Sequence, residues 1–151
     1  MLKPFFKVCI CFIASACNYC FAQQLQLVLP IGHTGKLYEA RFSPDGKKVV
    51  TASKDNTAKI WDVSSGSLLA DLKGHTDFVI HAQFSPDGKK VLTQSYDITG
   101  WKDNQGRVKI WDAESGKYIA DLTAEFGITA MACFSPDSKM ILTIADSGKI
   151  W

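Results

Sequence analysis

One run of residues occurs three times in the chain: FSPDGKKVVTAS from Phe42, FSPDGKKVLTQS from Phe84 and FSPDSKMILTIA from Phe134. Successive copies begin 42 and then 50 residues apart. Self-similarity at a period of roughly 20 to 50 residues selects stacked or radial architectures, because each unit buries its apolar face only against the next. The tryptophans Trp61, Trp111 and Trp151 lie 19, 27 and 17 residues after the three phenylalanines, so the second copy carries an insertion of about eight residues. It falls within YDITGWKDNQGR, Tyr96 to Arg107.

Each copy reads as short strands separated by turns. In FSPDGKK the proline presets φ and Asp-Gly accepts positive φ, so the chain reverses between Phe42 and Val49 and again between Phe84 and Val91. KVVTAS and TAKIWDV carry the β-branched and aromatic residues of a pleated, buried surface, with KDN turning between them. A further strand follows each Trp-Asp pair, SLLADL in the first copy and KYIADL in the second. In the strand before the turn, Leu37, Ala40 and Phe42, then Val79, Ala82 and Phe84, are spaced by three and two, which predicts a β-bulge. Four short strands per unit is the arithmetic of a propeller blade.

These residues resemble the WD40 repeat. GHT…FSPDGKKVVTASKDNTAKIWD, from Gly32 to Asp62, carries the likeness most fully, GHT…FSPDG…KIWD from Gly74 to Asp112 repeats it, and residues 124–151 form a degenerate third copy. The resemblance implies an all-β fold, a WD40-type β-propeller fragment of about three four-stranded antiparallel blades. The repeats run over about residues 32–73, 74–123 and 124–151. Residues 23–31, with LQLVL, are the leading strand of an incomplete blade.

By the same resemblance, His33, Ser53, Asp55 and Trp61 form a buried hydrogen-bonded tetrad. Imidazole, hydroxyl, carboxylate and indole N–H are each costly to bury alone, and together they satisfy one another. A hydrolase reading of the Ser, His and Asp has no support, because no Gly-x-Ser-x-Gly elbow accompanies them. The second copy offers His75, Ser95, Asp97 and Trp111, with the insertion between the last two. In the third, Glu125 stands for the His and Ala145 for the Ser, beside Asp146 and Trp151, so no tetrad is expected there.

The resemblance further implies a platform for proteins or peptides rather than an enzyme. Its contact positions transfer to Lys36, Tyr38 and Lys54, to Phe78, Ile80 and Tyr96, and to Ile128, Ala130 and Ala145. Aromatic and large aliphatic residues are what interface cores are made of, although strand residues of this type also pack against neighbouring blades. Trp101 in the insertion either anchors a partner or tucks over its own blade.

The first 24 residues, MLKPFFKVCICFIASACNYCFAQQ, differ in kind. Lys3 and Lys7 precede an uncharged run from Val8 to Ala16, shorter than the ~20 residues of a membrane span. Residues 1–22 read as a signal peptide cut after Ala22, with export to a periplasmic or secreted location; lipid anchoring through Cys17 is the alternative. Four of the five cysteines lie there, which leaves Cys133 without an intramolecular partner. Two lysines leave with the leader and no acids do, so 17 basic and 15 acidic residues become 15 and 15. That balance argues against nucleic acid, and no pattern calls for a cofactor or metal, His81 included.

Three blades do not easily close a ring, since propellers use roughly four to eight. Two expectations follow: the chain is a fragment of a longer protein, including a docking segment of a longer exported enzyme, or two copies complete a ring as a homodimer.

Overall fold

The computed structural model describes residues 32–96, 107–122, 131–144 and the backbone of 149–150; residues 1–22 and the leading strand at 23–31 lie outside them. Among the described residues every regular element is a strand. The first sheet holds β1 (Leu37–Phe42), β2 (Lys48–Ser53), β3 (Thr57–Asp62) and β4 (Leu68–Lys73) in chain order. The second repeats this with β5 (Val79–Phe84), β6 (Lys90–Ser95), β7 (Arg107–Asp112) and β8 (Tyr118–Leu122), and the third has β9 (Met131–Phe134), β10 (Ile141–Ile144) and β11 (Lys149–Ile150). All pairings are antiparallel.

The repeated turn works through its side chains. Ser43 Oγ–H donates to Asp45 Oδ1 at 2.6 Å, and the same carboxylate oxygen accepts the Lys47 N–H at 3.0 Å. Ser43 Oγ in turn accepts the Lys48 N–H at 2.9 Å. Ser85 with Asp87, and Ser135 with Asp137, repeat the first bond at 2.6 Å. The serine hydroxyls hold all three carboxyls below the usual aspartate range. Gly46 and Gly88 take φ of 69° and 73° at the turn, and Ser138 takes 61° in the third copy. Ser138 is held there by a bond from the Asp87 N–H to its Oγ at 3.0 Å, which joins adjacent sheets.

The expected bulges are present: pairing shifts register between Leu37 and Glu39 and between Val79 and His81, so Tyr38 and Ile80 sit in the bulges. Alternation along the strands then gives the second sheet two inward faces, one toward each neighbour. Val50, Ala52, Ile60 and Leu72 of the first sheet bury against Val79, Phe84, Val91 and Trp111 of the second. The second sheet's other face, Leu92, Val108 and Ile110, meets Ala132, Phe134 and Ile141 of the third. Each fully buried Val, Leu or Ile among them contributes about 1.5–3 kcal/mol, which makes the sheet-on-sheet contacts the principal source of stability. Leu142 is 41% exposed on the far face of the third sheet, where its counterparts Val50 and Leu92 are fully buried.

Polar links cross between sheets as well. Glu39 Oε2 accepts the Ala82 N–H at 3.0 Å and meets His81 Nδ1 at 2.6 Å, while Glu39 Oε1 accepts Arg41 Nε–H at 2.7 Å. His81, which no sequence pattern marks as a ligand, is therefore a junction between the first two sheets. Burial, ahead of the opposing pull of Glu39, lowers its pKa.

Candidate functional site

Two features occupy the end of the sheets where β2 turns into β3 and where β5 begins. The inner one is a chain of polar groups in the first copy. Asp55 Oδ2 lies 2.8 Å from His33 Nδ1, and a carboxylate there fixes Nδ1 as the protonated nitrogen. His33 Nε2 then accepts the Thr51 hydroxyl at 2.8 Å, and Thr51 Oγ1 accepts the Trp61 indole N–H at 2.9 Å. Thr57 Oγ–H and the Thr34 N–H also donate to Asp55, at 2.6 and 2.9 Å. Burial pushes the Asp55 pKa up, yet the bonds from Thr57, Thr34 and His33 outweigh it and hold the carboxyl far below its usual range. Glycine at position 32 is demanded by shape, because a Cβ there would fall 2.5 Å from Trp61 Cη2.

The expected tetrad counted Ser53 as its hydroxyl; in the structure Thr51 is the hydroxyl that joins His33 to Trp61. The reason is register. Trp61 is paired with Val49, so its indole reaches the diagonal neighbour Thr51. Ser53 lies two residues further along the same face, ~7 Å beyond Thr51. Its buried hydroxyl accepts the Asp55 N–H at 3.2 Å and supports the turn.

The second copy repeats the chain with Thr93, which lies 2.7 Å from His75 Nε2 and accepts the Trp111 indole N–H at 2.8 Å. His75 Nδ1 and Ser95 Oγ are buried with no partner among the described residues. Burial first, and then the charge of Lys109, pushes the His75 pKa down to about 4. Asp97, Trp101, Glu125, Ala145, Asp146 and Trp151 lie outside the described residues, whereas Thr143 stands nine residues after Phe134 as Thr51 does after Phe42, and it is buried.

The outer feature is a row of side chains across the first two sheets. The Lys54 N–H donates to the Lys36 carbonyl at 2.8 Å, and the Tyr96 N–H donates to the Phe78 carbonyl at 3.0 Å. Lys36 Nζ lies 5.9 Å from the centre of the Tyr38 ring, and Lys54 Nζ reaches across to the second sheet, 5.1 Å from the centre of the Phe78 ring. Lys36, Tyr38 and Lys54 are exposed; Phe78, Ile80 and Tyr96 are half-buried. The bulges explain why Tyr38 and Ile80 appear here, since each is displaced from the ladder at the start of its strand. Ile128 and Ala130 lie outside the described residues. Glu39, Thr51 and Thr93 are the residues that sequence reasoning passed over. The recurrence of threonine nine residues after each phenylalanine is the signal that identifies the last two.

Known proteins share this organisation. The WD40 family (WD domain, G-beta repeat) matches residues 23–62 and 66–112. The chain is 43% identical over 44 residues to Denticleless protein homolog B of Xenopus laevis, an alignment covering 29% of this chain and 6% of that protein. It is 49% identical over 39 residues to Periodic tryptophan protein 2 of Saccharomyces cerevisiae, covering 26% and 4%. With the mRNA export factor of Macaca fascicularis it shares 51% over 37 residues, covering 24% and 10%. The chain thus spans a small part of the length of each of these relatives. With repeated blade-like sheets, a histidine, threonine and tryptophan joined in two of them, and a family match over more than half of its length, the chain belongs to the WD40 repeat family.

Proposed function

We propose that the chain is a non-catalytic scaffold that docks a protein or peptide across the row formed by Lys36, Tyr38, Lys54, Phe78, Ile80 and Tyr96, extended by Ile128. The observation that carries this reading is the row's continuity: backbone bonds tie Lys36 to Lys54 and Phe78 to Tyr96, and the Lys54 ammonium spans the two sheets. Aromatic side chains with accessible faces, seated on a hydrogen-bonded frame, lose little freedom on binding, which suits them to the centre of an interface. Export behind residues 1–22, with lipidation at Cys17 as the other outcome, belongs to the same reading and rests on the sequence. So does covering of the third sheet's far face, by further repeats of a longer chain or by a second copy.

Alanine at Tyr38, Phe78 and Tyr96 together is expected to weaken a purified partner at least tenfold while far-UV circular dichroism and the urea midpoint stay close to the parent. Alanine at Leu69 and Ile119, exposed on the outer strands, leaves binding unchanged. Full retention of the partner by the triple variant removes the docking face.

A further inference from the structure

We propose that the occupant of this face is an acidic peptide segment, one that sets carboxylates on Lys36 and Lys54 and an apolar side chain between them against Tyr38 and Phe78. The inference rests on the docking reading above and adds the partner's chemistry. Its basis is an imbalance among the charged groups at this end of the sheets. Each nearby acid is already engaged. Asp55 faces inward, held by His33, Thr57 and Thr34. Asp77 Oδ2 accepts the Thr76 hydroxyl at 2.8 Å. Glu39, the next acid along β1, is taken by His81, Arg41 and the Ala82 N–H.

The two lysines are placed differently. Among the described residues no carboxylate lies within ion-pair distance of either ammonium. Each instead lies over an aromatic ring. That contact restrains the long side chain and occupies one side of the ammonium, which leaves N–H donors pointing away from the ring. A carboxylate arriving from solvent meets a cation already held in position, so less rotamer entropy is lost on pairing than with a free lysine. The rings themselves stay partly uncovered, with Tyr38 37% exposed. The contact therefore offers charge at two points and apolar surface beside them, a pattern that a basic segment is repelled by and a purely apolar one leaves half unused. The formal net charge is only +2 over 151 residues, so selectivity for anions at this face is local and not a property of the whole surface.

The test uses fluorescence anisotropy with three labelled probes: a random Glu–Tyr copolymer, a random Lys–Tyr copolymer and a neutral Ser–Tyr peptide, each at low and at 0.5 M salt. The full chain is expected to bind the Glu–Tyr copolymer at least tenfold more tightly than the other two, with most of that preference lost at high salt. Lys36→Glu with Lys54→Glu reduces Glu–Tyr binding tenfold or more, and Lys36→Gln with Lys54→Gln reduces it by a smaller factor. Lys47→Glu with Lys89→Glu, the same charge change at the opposite end of the sheets, alters it less than twofold. If Lys47→Glu with Lys89→Glu weakens binding equally, the attraction is general and the proposal falls. If all three probes bind alike and only Tyr38→Ala with Phe78→Ala weakens them, the preference for acid falls while the docking face stands. If no probe binds, the acidic-segment proposal is overturned, and the triple alanine variant with a purified partner decides the docking face separately.

Discussion

The first two sheets carry the same histidine, threonine and tryptophan at matching strand positions, but the imidazoles meet different surroundings. In the first, His33 bridges Asp55 and Thr51, and every polar atom in the line has a partner. In the second, His75 keeps its bond to Thr93, while Nδ1 is buried with no partner among the described residues and Ser95 Oγ is likewise alone. The shared part, hydroxyl between imidazole and indole, is what locks each tryptophan to its sheet. The carboxylate is a separate device, which joins the loop before β1 to the turn after β2. Splitting the tetrad into these two devices gives measurements that separate them.

The largest effect belongs to the shared part. Thr51→Val keeps the volume and leaves two buried groups, the Trp61 N–H and His33 Nε2, without partners. At about 1–3 kcal/mol for each orphaned group, the cost is about 2–6 kcal/mol, and Thr93→Val costs a similar amount in the second sheet. Urea unfolding followed by tryptophan fluorescence reads both. A loss below about 1 kcal/mol for either variant would show that the hydroxyl is not the centre of the chain.

The repeat made the sheets legible before any coordinates, because turn chemistry, β-branched runs and the bulge spacing all depend on nearest neighbours along the chain. Ser53 follows from the family resemblance alone; Thr51 lies on the same face of β2, and alternation does not separate i from i+2. The cross-strand register does, through the pairing of Trp61 with Val49. Glu39 was illegible for a different reason: its partners His81 and Ala82 are 42 and 43 residues away on another sheet, where nothing in the local pattern points. The docking row is intermediate. Its positions came from likeness to a family, but the stacking of Lys54 on Phe78 depends on how one sheet sits beside the next.

A pH series sharpens the comparison next. His75 has a folded pKa of about 4 against 6.5 for the free side chain, a result of burial and of Lys109 and Arg107, opposed by Asp121 and Asp77. The native state therefore holds it neutral while the unfolded chain takes up a proton as pH falls below 6.5. The unfolded state binds more protons in that window, so stability rises with pH: the contribution is complete above 6.5 and drains away toward pH 4, by about 3 kcal/mol at the lower limit. His81, also lowered, adds in the same direction. Urea midpoints between pH 7 and pH 4.5 are expected to fall less steeply in His75→Asn than in the parent. An unchanged slope would mean that a carboxylate reaches Nδ1 in the second sheet too, and the contrast with His33 would vanish.

The smallest effect tests the two serines. Ser53 Oγ accepts the Asp55 N–H at 3.2 Å, so Ser53→Ala removes a bond and leaves that N–H unsatisfied, at a cost of about 1 kcal/mol. Ser95 Oγ is buried without a partner among the described residues, so the native state already bears the desolvation of that hydroxyl. Ser95→Ala deletes a group whose burial was unfavourable, and the expected change is between zero and a gain of about 1 kcal/mol. Opposite signs for one substitution at equivalent positions would show that the first sheet has put its second hydroxyl to work in the turn while the second has not. Equal losses at both would show that Ser95 has a donor or acceptor beyond the described residues, and the contrast between the two hydroxyls would vanish.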